Sequence, residues 1–97
     1  MFTSGIEAVI SEDGSSIKIT YHPKEGEDYA KIWFPVWSTE NDQDDKIVYP
    51  ADLCEDGCWV AIVDCTNHSQ SGELNIHVYG GETAATDFLS KAVVILN

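Results

Sequence analysis

The sequence predicts an all-β chain folded as a β-sandwich of about seven short strands. Two observations carry that prediction. Apolar residues recur at every second position almost throughout, the period of a strand with one buried face. Between the runs stand Gly, Pro, Asp and Asn clusters, the residues that turns demand. Ninety-seven residues suit one domain, here residues 1–97, able to bury roughly two-thirds of its unfolded surface. No internal repeat, low-complexity tract or linker interrupts it.

The elements follow in order. Ile6, Ala8 and Ile10 alternate up to Glu12-Asp13-Gly14, a tight hairpin signal. Ile17, Ile19 and Tyr21 form the return strand, which stops at His22-Pro23 because proline donates no ladder hydrogen bond. Residues 23–28 read as an acidic loop. Ile32, Phe34 and Val36 alternate next, with Trp33, Pro35 and Trp37 opposite them. Large groups on both sides imply a central strand or an exposed aromatic face. Residues 38–46 form a polar loop, and Ile47-Val-Tyr49 before Pro50 reads as an edge strand. Trp59, Ala61 and Val63 share one face of a compact strand, with Val60 and Ile62 on the other. Residues 66–72 are a turn-rich loop. Leu74, Ile76 and Val78 alternate against Asn75, His77 and Tyr79 before Gly80-Gly81. Residues 83–91 have mixed propensity with room for a helical turn around Ala85, and Ala92–Leu96 closes the chain as a strand.

Lys+Arg 5 against Asp+Glu 17 gives a net charge of −12. Nucleic-acid binding requires cations that displace phosphate counterions, so that class is excluded, and an anionic membrane surface is disfavoured equally. No run approaches the length of a membrane span, so no membrane insertion is expected. Residues 1–6 lack the basic and apolar regions of a signal peptide. The chain is therefore expected to be either cytoplasmic or a piece of a longer secreted protein.

Cys54 and Cys58 flank the turn Glu55-Asp56-Gly57 and could face one another. Free thiols, a Cys54–Cys58 disulfide and a zinc site of Cys54, Cys58, Cys65 and His68 all stay open. The zinc site would bend the strand between Cys58 and Cys65. Asp42, Asp44 and Asp45 offer oxygen ligands for calcium but lack the EF-hand order, so a solvated acidic loop is the simpler reading, with Asp44 or Asp45 tying the turn. Asp64, His68 and Ser69 do not amount to a triad without a nucleophile elbow or an oxyanion hole, nor do Cys65 and His68. His68 is expected to fix a loop. No catalytic residue, metal ligand or cofactor is assigned.

The aromatics are the better candidates. Flat rings beside amides and carboxylates are the chemistry that stacks sugars. Trp37 and Trp59 are read first as core tryptophans, while Trp33 stands even between core and surface. If Trp33, Trp37, His77 and Tyr79 share one sheet face, that face contacts glycan or a neighbouring domain.

The block from Ile32 to Gly80 resembles the GBS Bsp-like repeat of bacterial surface proteins and cell-wall hydrolases. The matching pieces are Phe34-Pro-Val-Trp-Ser38, Asn41-Asp-Gln-Asp-Asp45, Tyr49 with Ala51, Asp56-Gly-Cys-Trp59, Val63-Asp64, Asn67-His68, Gly72 and Asn75-Ile-His-Val-Tyr-Gly80. The chain departs from the pattern at Val48, where an aromatic is usual, and in its cysteines. The resemblance implies an immunoglobulin-like β-sandwich, extracellular at the cell surface or cell wall of a Gram-positive bacterium, and no catalysis. The expected role is binding of cell-wall or glycan material such as peptidoglycan. The alternative is a structural spacer positioning attached catalytic or anchoring domains, with neighbouring domains of the parent chain as its partners.

Overall fold

The computed structural model describes the chain except for residues 1, 4, 25, 27, 28, 40–45, 66, 67, 69–71, 83, 84 and 97, and gives backbone alone at residues 2, 3 and 96. The described residues form nine strands: β1 (Phe2–Thr3), β2 (Ile6–Ile10), β3 (Ser16–Tyr21), β4 (Ile32–Ser38), β5 (Ile47–Pro50), β6 (Asp52–Leu53), β7 (Trp59–Asp64), β8 (Gly72–Gly80) and β9 (Asp87–Leu96). β1 and β6 are two-residue additions, so the seven longer strands are those the alternation predicts.

One sheet has the order β1-β2-β3-β7-β6 and the other β5-β4-β8-β9, all neighbours being antiparallel. The chain makes a hairpin, crosses to the other sheet, makes a second hairpin and crosses back. That is the Greek-key connectivity of an immunoglobulin-like sandwich. The two inner faces supply the core: Ile6, Ala8, Ile17, Ile19, Tyr21, Trp59, Ala61 and Val63 from one, Ile32, Phe34, Val36, Leu74, Ile76, Val78, Ala92 and Val94 from the other. The alternation of β3 and β8 follows from this one-sided burial, and in β4 it is broken only at Pro35, which is buried as well.

Two expectations need correction. The last strand starts at Asp87, so residues 87–91 are strand; Ala85 is irregular, and residues 83 and 84 lie outside the described residues. Trp59 is a core tryptophan at 8% exposure, but Trp37 is half-buried and points away from the core. Its parity with the fully buried Phe34 and Val36 fixes that: on a strand, an odd offset means the opposite face.

β4 is also unusual in carrying Pro35 at the middle of a sheet. It pairs with β8 at both ends, Trp33↔Tyr79 and Val36↔Ile76, but the ladder skips the two positions between. Pro35 has no N–H to donate there, and the register survives because pairs on both sides agree.

The β2–β3 turn is pinned by one carboxylate. Asp13 Oδ1 accepts hydrogen bonds from Ser11 Oγ (2.8 Å), Ser15 N (3.0 Å) and Ser15 Oγ (2.7 Å), while Gly14 supplies the positive φ of 74° that the turn needs. These bonds, foremost those from Ser15, lower the Asp13 pKa from 3.8 to about 2. Such a depressed carboxylate contributes stability above pH 3.8 that is lost as pH falls through the folded value. Replacing Ser15 with Ala is expected to move the Asp13 pKa back toward 3.8, read from its carboxyl carbon by NMR. An unmoved pKa would contradict this.

Gly80 ends β8 for a different reason. A Cβ there would stand 2.5–2.7 Å from the Tyr29 ring, which packs on the core and is held by Tyr29 Oη donating to Asp87 at 3.2 Å. Gly80→Ala is expected to cost about 1–3 kcal/mol, measured by urea unfolding. In a Tyr29→Ala background the same change should cost much less, which a double-mutant cycle reads directly.

Candidate functional site

Four strands build the site. Trp33, Pro35 and Trp37 project outward from β4, and Asn75, His77 and Tyr79 from β8. The register sets Trp33 across from Tyr79 and Trp37 across from Asn75. All four sequence candidates, Trp33, Trp37, His77 and Tyr79, thus lie on one outer face and each is half-buried. Their rings are linked: Trp37 and His77 meet edge-on at 4.6 Å between centroids, and His77 and Tyr79 stack at 6.2 Å. Asn75 Nδ2 donates to Thr39 Oγ1 at 2.7 Å and holds the end of β4 beside them.

Phe88 completes the row, 5.4 Å from His77 and 5.5 Å from Tyr79, and is 52% exposed. Alternation read back from Val94, Ala92 and Ser90 would place Phe88 inside. A register shift between Val78 and Tyr79 prevents that, pairing Val78 with Ser90 but Tyr79 with Phe88. Leu89 is the extra residue of this bulge and packs toward the core. One inserted residue turns the next side chain to the other face, and no sequence signal marks it.

The remaining candidates resolve as structure. His68 is buried, and its Nε2 lies 2.7 Å from Tyr49 Oη. That bond ties the loop after β7 to edge strand β5, the loop-fixing role expected of it. Cys58 and Cys65 stand just before and just after β7, about 23 Å apart along an extended chain, so the four-ligand zinc arrangement does not converge. The calcium candidates Asp42, Asp44 and Asp45 lie outside the described residues. All three cysteines are free thiols.

One contact was not legible in the sequence. Cys58 Sγ lies 3.0 Å from His22 Nδ1, and His22 Nε2 lies 3.8 Å from Glu7 Oε1. The order Cys-His-Glu is that of a catalytic triad, but its electrostatics run the other way. Burial, then Asp56, raises the Cys58 pKa, keeping the thiol protonated where a nucleophile needs a thiolate. Residues 36 positions apart gave no local signal for this pairing.

Cations border the aromatic face. Lys31 Nζ sits 6.0 Å from the Trp33 ring and Lys46 Nζ 5.8 Å from the Trp37 ring, at the outer limit of cation–π attraction. Lys91 is the cross-strand neighbour of His77. Beside Trp33, a cleft of about 300 Å³ opens where the chain crosses from β5 to β6, walled by Lys31, Trp33, Asp52, Leu53 and Trp59. The buried indole N–H of Trp33 has no hydrogen-bond partner among the described residues.

His77 records this environment. Its pKa is lowered from 6.5, first by burial and then by Lys91 and Lys46, with Trp37, Tyr79 and Phe88 as its other neighbours. The unfolded chain protonates this ring more readily than the folded one. Its contribution to stability is therefore complete above pH 6.5 and declines as pH falls below it. NMR titration of His77 should give a pKa under 6.5 that rises in Lys91→Gln and Lys46→Gln, yet stays depressed because burial persists. A value at or above 6.5 in the unaltered protein would contradict this.

No curated protein and no solved structure matches the chain. The GBS Bsp-like repeat family matches over residues 8–93, which takes in every strand of the sandwich except β1 in whole or in large part. That family is found in bacterial surface proteins and is typically non-catalytic. The chain belongs to the GBS Bsp-like repeat family.

Proposed function

We propose that this module binds cell-wall glycan through the outer face of the β5-β4-β8-β9 sheet. The observation that carries the reading is the continuous row Trp37, His77, Tyr79 and Phe88, half-buried to exposed on a rigid sheet. Trp33, four residues before Trp37, extends the face by about 13 Å along β4, longer than a single pyranose ring. Rings stack on the C–H faces of a sugar while leaving its hydroxyls wet. The family's occurrence in bacterial surface proteins supports wall material as the source of such glycans.

A second reading has its own support. Val48, Phe88, Val93 and Ile95 are exposed on this same face, Ile95 at 60%, and a neighbouring repeat could cover them while the module acts as a spacer. Chemical-shift titration with tetra-N-acetylglucosamine and soluble muropeptides separates the two. Glycan binding predicts shifts at the Trp33 and Trp37 indole N–H signals and at His77, weakened about tenfold by Trp37→Ala. Silence at millimolar ligand, together with raised stability of a two-repeat polypeptide over one repeat, would favour the spacer and sink the glycan reading.

A further inference from the structure

The distribution of charge over this sheet says which glycans it takes. The sequence holds 17 acids against five lysines and has no arginine. In such a chain each lysine would be expected to lie against a carboxylate. Instead, three of the five, Lys31, Lys46 and Lys91, gather at the aromatic face. All three are exposed, and none has a carboxylate partner among the described residues. At the outward positions of the β4, β5, β8 and β9 strands the acids reduce to Glu73, at the opposite end of β8 from Tyr79. Asp52 borders the cleft beyond Trp33.

We infer that the aromatic face selects an acidic glycan, one carrying carboxylates along its chain, with Lys31, Lys46 and Lys91 as the charge-reading residues. This rests on the glycan-binding reading and adds the ligand's sign and chemical class. Each ammonium is a point charge and not a planar fork, Lys31 beside Trp33 and Lys46 and Lys91 around His77. A phosphate is more often gripped by the fork of an arginine or by a helix N-terminus, and the described residues contain neither. Separate monoanions on successive sugars match separate ammonium groups. The rings supply stacking for either kind of sugar, so the lysines determine preference while the rings determine binding.

The test uses tetramers with one backbone: cellotetraose, β-1,4-linked tetraglucuronate and the C6-phosphorylated cello-tetramer, titrated calorimetrically at about 0.15 M salt. Each exposed lysine is expected to contribute about twofold, so tetraglucuronate should bind about tenfold tighter than cellotetraose. Lys31→Gln/Lys46→Gln/Lys91→Gln should erase that difference, bringing the ratio of tetraglucuronate to cellotetraose affinity to about one. These are exposed residues, and an unchanged amide spectrum confirms the fold of the variant. Equal or weaker binding of tetraglucuronate by the unaltered protein would overturn the inference and leave glycan binding standing. Tighter binding of the phosphorylated tetramer would overturn the assignment to carboxylate. A preference that survives in the triple variant would remove the three lysines from the role. If no tetramer binds at millimolar concentration while tetra-N-acetylglucosamine does, this inference is overturned and glycan binding stands; if tetra-N-acetylglucosamine is silent as well, both fall.

Discussion

The register between β4 and β8 is the constraint on which both the core and the aromatic face depend. Each strand carries two residue sets at period two. One set, with Phe34, Val36, Ile76 and Val78, is fully buried; the other, with Trp37, His77 and Tyr79, makes the ring contacts outside. A slip of one residue would exchange the sets and put tryptophans inside and aliphatics in water. The core's need to bury its aliphatics therefore fixes the spacing of the rings. Pro35 weakens the ladder at the centre of that pairing, and agreement of the pairs on either side holds it in place. The core behind the face sets its positions, and the ring contacts outside follow from them.

The sandwich was legible because period-two burial is a local property. Ile6–Ile10, Ile17–Tyr21, Ile32–Val36 and Leu74–Val78 each declare a strand and its inner face without knowledge of their partners. The face was legible for the same reason: once Phe34 and Val36 are inside, Trp33 and Trp37 must be outside. Where reading failed, the cause was non-local. Sandwiches commonly hold tryptophans between their sheets, and that habit does not set the direction of Trp37, which parity with Phe34 and Val36 does. Phe88 was missed because a bulge at Leu89 reverses parity, and bulges form where two strands meet. Residues 87–91 have weak strand propensity and become strand because β8 offers a full ladder to pair with. The Cys58–His22 contact and the convergence of Lys31, Lys46 and Lys91 also belong to the folded arrangement. A net charge gives the sum and conceals the clustering.

Two histidines show how environment separates roles among like residues. His68 is buried with its ring nitrogen against Tyr49 and serves to join a loop to an edge strand. His77 sits among rings and two lysines, which disfavour its proton. Cys58 and His22 show the same principle: their geometry resembles catalysis, while desolvation and nearby acids hold the thiol in the unreactive form.

The inferred preference of an acidic protein for an acidic ligand looks contradictory only if charge is treated as one number. The two sheets of a sandwich pack about 10 Å apart, and screening at physiological salt acts over about 8 Å. Acids on the β1-β2-β3-β7-β6 sheet would thus lie beyond a screening length from a ligand seated on the other sheet, while Lys31, Lys46 and Lys91 would be in contact with it. At very low salt the charge of −12 acts as a whole and repels an anionic chain before it arrives. At high salt the lysines themselves are screened. Ionic strength would therefore act in opposite directions on approach and on contact, and the inferred selectivity for acidic glycans would be confined to the range between.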